Sequence, residues 1–428
     1  MTLPTQWNLV KLKDLVLNPK QDIVDGPFGS NLKASEYVDS GVPIIRLQNI
    51  ERNRFVNKNI RYVTEEKAHE LERHNFKSGD IVLTKLGNPL GKACIIPENF
   101  PNGIVVADVV RARINEKIIN KDYLTYAINS HKVIEQLEPL IKGTTRPRVN
   151  LTHLRNIEIP LAPRNKQNQI VEKIEELFSQ LDSGVAGLKR VQSVLQRYRA
   201  SVLKAAVEGN LFKEQQSTSG IPEGWQSTAI KRIATNDKNS IKRGPFGSSV
   251  KKAYFVTEGY KIYQQRNVID NDFSYGDYYI DSERFEKLKA FEIFPGDILI
   301  TGAGTIGKFA VVPENIQPGI MNQALLKISL NPELIITDFF FYFFEVKARE
   351  YLLAKTRGSA MKNISSVRDL KEMEILLPPI NEQTKIVEEV ERQLTIINEI
   401  NASIEKTQNF SSNISHSILK QAFQGKLL

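Results

Sequence analysis

The sequence predicts an α+β protein built by tandem duplication, with two mixed α/β domains and two long helices that pair as an antiparallel coiled coil. Three observations carry this. The string GPFGS stands at residues 26–30 and again at 244–248. A series of further matches follows in the same order at nearly constant spacing, which defines a repeat of roughly 216 residues. Each repeat then ends in a proline-free stretch with coiled-coil periodicity.

The matches run the length of both copies. Trp7 in TQWNLVKLKDL pairs with Trp225 in EGWQSTAIKRI. SGDIVLTKLGNPLGKACIIPEN from Ser78 pairs with PGDILITGAGTIGKFAVVPEN from Pro295, the second copy being one residue shorter. IPLAPRNKQNQIVEKIEEL from Ile159 pairs with ILLPPINEQTKIVEEVERQ from Ile375, and SVLKAAVEGNL at 201 with SILKQAFQGKL at 417. Within each repeat, short β-rich runs such as VPIIRLQNI (42–50), DIVLTKL (80–86) and DILIT (297–301) alternate with Gly, Pro and Asn breakers. DYLTYAINSHKVIEQL reads as a helix, and the aromatic run Phe339 to Phe344 as a core helix. The predicted boundaries are 1–162 and 213–378 for the α/β domains, with 163–212 and 379–428 for the helices.

Each helix begins just after a proline, Pro163 or Pro379, a helix start signal. Alternate steps of four and three from Ile170 meet Ile174, Leu177, Leu181, Gly184, Leu188, Val191, Leu195, Tyr198 and Val202. The same steps from Ile386 meet Val390, Gln393, Ile397, Ile400, Ile404, Thr407, Ser411, Ile414 and Ile418. A helix of this length spans about 67 Å at 1.5 Å per residue, too long to pack on one such domain. Pairing of the two helices as a spacer follows. Two similar domains held apart suit a two-fold partner such as duplex DNA, each domain meeting a different half-site.

Composition narrows the classes. The chain of 428 residues carries a formal charge of +9, which points to a polyanionic partner, and its single cysteine, Cys94, excludes an internal disulfide framework. No apolar run approaches the ~20 residues of a membrane span, and MTLPTQWNLVKL lacks the pattern of a signal peptide, so a reducing cytoplasm is expected.

The strings PLAPRNKQNQIVEKIEELFSQLD and LLPPINEQTKIVEEVERQL, each followed by SVLKAAVEGNL or SILKQAFQGKL, resemble the paired helices of type I restriction-modification specificity subunits. The GPFGS loop, IIRLQNI or IYQQRNVI, and the GDI(V/L)xT...GK stretch are similar to those of their target-recognition domains. The resemblance covers essentially the whole chain in both copies. It implies a DNA-reading phage-defence subunit with no cofactor of its own. Two modification subunits that carry S-adenosylmethionine would methylate an adenine in each half-site, and ATP-driven restriction subunits would join them. The outer faces of the helices would dock the modification subunits. The chain ends at GKLL, where some members of the family extend further.

No catalytic set can be assembled. GAGTIGK at 302–308 is a literal G-x-G-x-x-G, but FAVVPEN follows it where a dinucleotide loop needs a helix, so a turn between strands is expected. Neither LPPI (377–380) nor GNPLG (87–91) supplies the paired prolines and aromatic of an amine methyltransferase loop. His69, His74, His131, His153 and His416 show no metal spacing with each other or with Cys94.

Candidate DNA contacts are the Arg, Lys, Asn and Gln clusters, whose side chains reach base edges and phosphates. Arg46, Gln48 and Asn49 in the first copy and Gln264, Gln265, Arg266 and Asn267 in the second stand at matched strand ends, although a solvated strand end has the same composition. KGTTRPRVN offers Lys142, Arg146 and Arg148, and RGSAMKN offers Arg357 and Lys362; an exposed loop is the bland alternative. Lys85, Asn88 and Lys92, with Lys308, complete the set. In GPFGS the phenylalanine is expected to anchor the loop in the core while Ser30 or Ser248 and Lys33 or Lys251 face outward. The rival readings are a protein scaffold that bridges two partners without reading DNA, and a fused methyltransferase.

Overall fold

The computed structural model describes residues 4–87, 90–142, 147–212, 221–302, 307–348 and 367–428. It divides into two compact units, Met1–Lys189 with Ile404–Leu428, and Arg190–Ser403. The division falls inside both long helices, so each unit holds one α/β domain and a portion of each helix.

In the first unit an antiparallel sheet runs Ile23–Asp25, Val109–Ala112, Ile81–Thr84 and Ala93–Ile95. A mixed sheet runs Arg61–Val63, Val42–Ile45, Gly103–Val105 and Asn75–Phe76, with its middle pair parallel. Asn8–Lys11 pairs with Glu158–Leu161 and joins the two ends of the domain. The second unit repeats the plan. Its antiparallel sheet runs Ile241–Arg243, Leu325–Ile328, Ile298–Thr301 and Phe309–Val311. The mixed one runs Tyr279–Ile280, Tyr260–Tyr263 and Gly319–Met321, and Gln226–Ala229 pairs with Glu374–Leu377. The central strands are apolar on both faces, as Ile81–Thr84 and Ile298–Thr301 show, because each sheet is covered on both sides.

The duplication extends to individual contacts. Trp7 meets Tyr123 edge-on at 6.5 Å, and Trp225 meets Phe339 at 6.3 Å. Phe339, Phe340, Phe343 and Phe344 are buried across an α-helix, Thr337–Phe343, and the π-turn after it. This is the core helix the aromatic run predicts.

The long helices are Arg164–Val207 and Ile380–Ala422. At the start of each, a buried glutamine ties helix to domain. The Gln167 amide donates to the Ala162 carbonyl at 2.9 Å while its oxygen accepts from the Asn120 N–H at 2.8 Å. Gln383 donates to Pro378 and Leu334 and accepts from Ile336, all within 2.9 Å. At the far ends Gly209 and Gly425 adopt φ of +73° and +70°, where any Cβ would be strained. The N–H groups of Asn210 and Lys426 then close back on Ala205 and Gln421.

Within each unit the helix portions run antiparallel. Ile170, Val171 and Ile174 share a core with Ile418, Leu419 and Ala422 in the first unit. In the second, Val202, Leu203 and Ala206 share one with Ile386, Val387 and Val390, and Tyr198 donates its hydroxyl to Gln393 at 2.9 Å. The heptad seam is occupied where the helices also meet a domain. Away from the domain cores Ile397 and Ile404 on that seam are buried as well, whereas Val191, Tyr198, Ile400 and Ile414 are exposed, so the seam is only partly filled.

Candidate nucleic-acid interface

The matched strand ends form the same cap in both domains. Strand Val42–Ile45 leads into a turn at Leu47–Asn49, and Tyr260–Tyr263 into a short helix, Gln265–Ile269. Asn49 is fully buried. Its oxygen accepts from the Arg46 N–H at 3.0 Å, and its amide donates to the Val56 and Lys58 carbonyls, each at 3.0 Å. Asn267 repeats this, accepting from the Gln264 N–H at 2.7 Å and donating to Asp272 and Tyr275 at 2.8 and 2.9 Å. Both amide protons of each are engaged, so Asn49 and Asn267 hold the loop in shape and offer nothing to a base edge. The expectation for these two is corrected on that ground.

Their neighbours face outward with different groups. Arg46 is half-buried and donates from Nη2 to the Asn59 carbonyl at 2.6 Å, while its buried Nε has no partner; Gln48 is exposed. In the second domain Gln264 and Gln265 are half-buried and Arg266 is exposed. Arg266 donates to Asp270 at 2.9 Å and lies over the Tyr275 ring at 4.3 Å. Its hydrogen bond to the Asp270 carboxylate, with help from Tyr275, holds its pKa above the ordinary value.

A second group gathers by the first GPFGS loop. The Lys142–Arg148 ladder closes with N–H to carbonyl bonds of 3.0 Å in both directions, and Arg148 also bridges Leu86. Lys142 and Arg148 are exposed, whereas Lys85 is half-buried and ion-paired to Asp25, the residue before the loop. Lys92 goes elsewhere: it pairs with Glu51 at 2.8 Å and lines a cavity of about 1150 Å³ shared with Tyr126, Glu175 and Phe178. Lys308 is exposed and its N–H donates to Thr301 Oγ1 at 3.0 Å. Asn88, Arg146, Arg357 and Lys362 lie outside the described residues.

The GPFGS loops overturn one expectation outright. Ser30, Lys33, Ser248 and Lys251 are exposed as expected, but Phe28 is 80% and Phe246 86% exposed, so neither ring anchors anything. The anchor is the backbone. A Cβ on Gly26 would lie 2.1 Å from the Val106 carbonyl carbon, and one on Gly244 1.8 Å from the Asn322 oxygen, so only glycine fits. Buried Pro27 and Pro245 complete the base.

Among the described residues no cluster of His, Cys, Asp or Glu could hold a metal, and no helix is long and apolar enough to cross a membrane. Residues 303–306 of the 302–308 stretch lie outside the described residues; the strands on either side pair antiparallel, with Ile300 opposite Phe309, and strand Phe309–Val311 follows directly. Residue type alone does not single out Gln167 and Gln383, which tie each long helix to its domain, or the exposed rings of the GPFGS loops. Their only sequence signal is recurrence at matched positions.

The family model for the type I restriction modification DNA specificity domain matches residues 4–186 and again 222–406. The chain belongs to this family. Among curated relatives, the specificity subunit of the type I restriction enzyme EcoBI of Escherichia coli is 25% identical, over 74% of this chain and 68% of that protein. The StySPI specificity subunit of Salmonella potsdam is 25% identical over 91% and 83%. The EcoKI specificity subunit of Escherichia coli K12 is 22% identical over 99% and 90%. In fold, this specificity-family chain is similar to the HsdS subunit of Thermoanaerobacter tengcongensis, with a TM-score of 0.58, 18% identity and coverage of 100% and 98%. A chain from a structure of a type I R-M system gives 0.64 at 18% identity, covering both chains fully.

Proposed function

We propose that this chain is the DNA sequence-specificity subunit of a type I restriction-modification complex. It recognises a bipartite, asymmetric target, one half-site per α/β domain, with the gap set by the long helices. Residues 1–162 and 213–378 are the recognition domains in this reading, and 163–212 and 379–428 the spacers. The chain is the non-catalytic member. It positions two modification subunits, which carry S-adenosylmethionine, and restriction subunits, which use ATP; it acts in the cytoplasm, on the nucleoid when bound.

One observation carries the reading: within a family of DNA specificity domains, both copies keep the same loop frame while the groups that face outward differ. In the first domain Arg46 and Gln48 read bases, with Lys142 and Arg148 on phosphates. In the second, Gln264, Gln265 and Arg266 read bases, with Lys308 on phosphate. Lys85 and Lys92 reach DNA only by leaving Asp25 and Glu51, and Asn88, Arg146, Arg357 and Lys362 remain proposed phosphate contacts. Arg suits guanine and Gln adenine through paired hydrogen bonds. A scaffold that bridges partners without reading DNA is separated by experiment. Modified bases are sequenced in host cells with and without the gene; loss of one split, adenine-methylated motif on deletion supports the reading, and an unchanged pattern in cells that express the modification subunits contradicts it.

A further inference from the structure

Phe28 and Phe246 stand with Leu17 as the most exposed large apolar side chains among the described residues. A phenyl ring displayed to water in one loop is unremarkable. Two rings displayed at the same place in two copies, on loops whose bases admit only glycine against a neighbouring backbone, are a built feature. The Gly26 N–H donates to Val109 at 3.1 Å and the Gly244 N–H to Leu325 at 2.8 Å, which roots each loop in its antiparallel sheet. Beyond the ring the chain turns back, with Asn31 N–H on the Phe28 carbonyl and Ser249 N–H on the Phe246 carbonyl, both at 2.8 Å. The side chain is thus held out on a short finger closed by backbone hydrogen bonds.

Basic side chains lie on both loops, and in the first domain they stand beside Asp25 and Glu36. Lys33 and Lys251 are exposed on the same loops, and in the first domain the Lys85–Asp25 pair joins the finger to the Lys142–Arg148 ladder. In the second, Arg284 donates to the Ser249 carbonyl at 2.7 Å and covers the Tyr254 ring. An apolar ring beside an exposed lysine fits a partner that has both anionic groups and flat apolar faces. Duplex DNA has both, as phosphates and stacked bases.

The division of labour follows from what recurs. The outward polar groups at the strand ends differ between the domains, so they can discriminate two half-sites. The finger is the same in both and cannot. A phenyl ring has no donor or acceptor for a base edge; its contact is with a base face, and that requires a base step to open.

We propose that Phe28 and Phe246 are aromatic wedges, each pressed against a base face in the half-site of its own domain and partly unstacking one step. This rests on the DNA reading above and adds to it a positioning role independent of sequence: the wedge fixes where along the half-site the polar readers lie.

The test uses the full chain assembled with its modification subunits on duplexes that carry the split motif, with 2-aminopurine placed at successive positions and 5-iodouracil in parallel for photo-crosslinking. The wild type is expected to raise 2-aminopurine fluorescence at one step in each half-site beyond the methylated adenine, and to crosslink at Phe28 and Phe246. Phe28→Ala is expected to abolish the signal in one half-site alone and Phe246→Ala in the other alone, each with about tenfold weaker binding. Phe→Trp at either position retains the signal. Because both rings are exposed, the thermal midpoint of the variants stays at the wild-type value. Alanine variants that leave fluorescence and affinity unchanged overturn the wedge while the DNA reading stands. Variants that lose modification subunits but keep DNA contacts place the rings on a protein surface and also overturn it. A wild-type complex that binds motif and scrambled duplex equally removes the DNA reading itself, and the wedge with it.

Discussion

The strand-end caps Arg46-Leu47-Gln48-Asn49 and Gln264-Gln265-Arg266-Asn267 share one residue in four. The shared asparagine is buried and bonded to backbone in both, whereas the positions that face outward carry Arg and Gln in opposite order. A frame and a reader therefore sit in adjacent positions and answer to different constraints. The frame is fixed by hydrogen-bond satisfaction inside the domain, the reader only by what it meets outside. The same split appears beneath the GPFGS loop, where Asp25 and Lys85 of the first copy are replaced by Arg243 and Gly302 in the second while the glycine and proline of the loop base persist.

The comparison breaks most visibly at the frame. Asn49→Ala and Asn267→Ala each remove the three hydrogen bonds of a buried amide, to one N–H and two part-buried carbonyls, so each is expected to cost its own domain about 1–3 kcal/mol. Urea denaturation followed domain by domain should give similar losses; a loss in one domain only would show that the caps are not equivalent. At the reader positions stability should hold. Gln264→Ala is expected to reduce discrimination at one base of one half-site by about 1–3 kcal/mol while shifting the unfolding midpoint little, as competition binding with single-base variants would show.

A smaller effect separates base from phosphate contact. Lys308→Ala should weaken binding to all sequences alike and lower the slope of log affinity against log salt by about 1, read from a salt titration. The smallest concerns a probe present in the first domain alone. Burial, with the Glu51 charge adding to it, pushes the Cys94 thiol up to about 12, which disfavours the thiolate. At pH 8 it should resist alkylation in the folded chain and react at the rate of domain opening; prompt labelling would show that the first core is open.

The duplication, the helix starts after Pro163 and Pro379, and the sheet strands were legible because repeats and periodicity are properties of the string. The site was legible only as a region. Asn49 and Asn267 belong to the residue type that pairs with adenine, and the same two donors and acceptor make asparagine a loop cap; burial decides, and burial is not in the string. Lys85 and Lys92 have ionic partners 60 and 41 residues away, so their engagement cannot be read locally. The ring in GPFGS was placed in the core because apolar residues usually go there, and the glycine contacts that make this loop an exception involve backbone some 80 residues distant.

The central claim is that each domain reads its own half-site through the groups around a shared frame. The direct measurement is sequencing of modified bases in cells that carry the wild-type chain or one with Arg46→Gln and Gln48→Arg together, which gives these two positions of the first frame the groups of the second and leaves Leu47 packed on the core. The account predicts a split methylated motif in which one half changes and the other half and the gap persist. A change in both halves, or a motif untouched by the exchange, would contradict it.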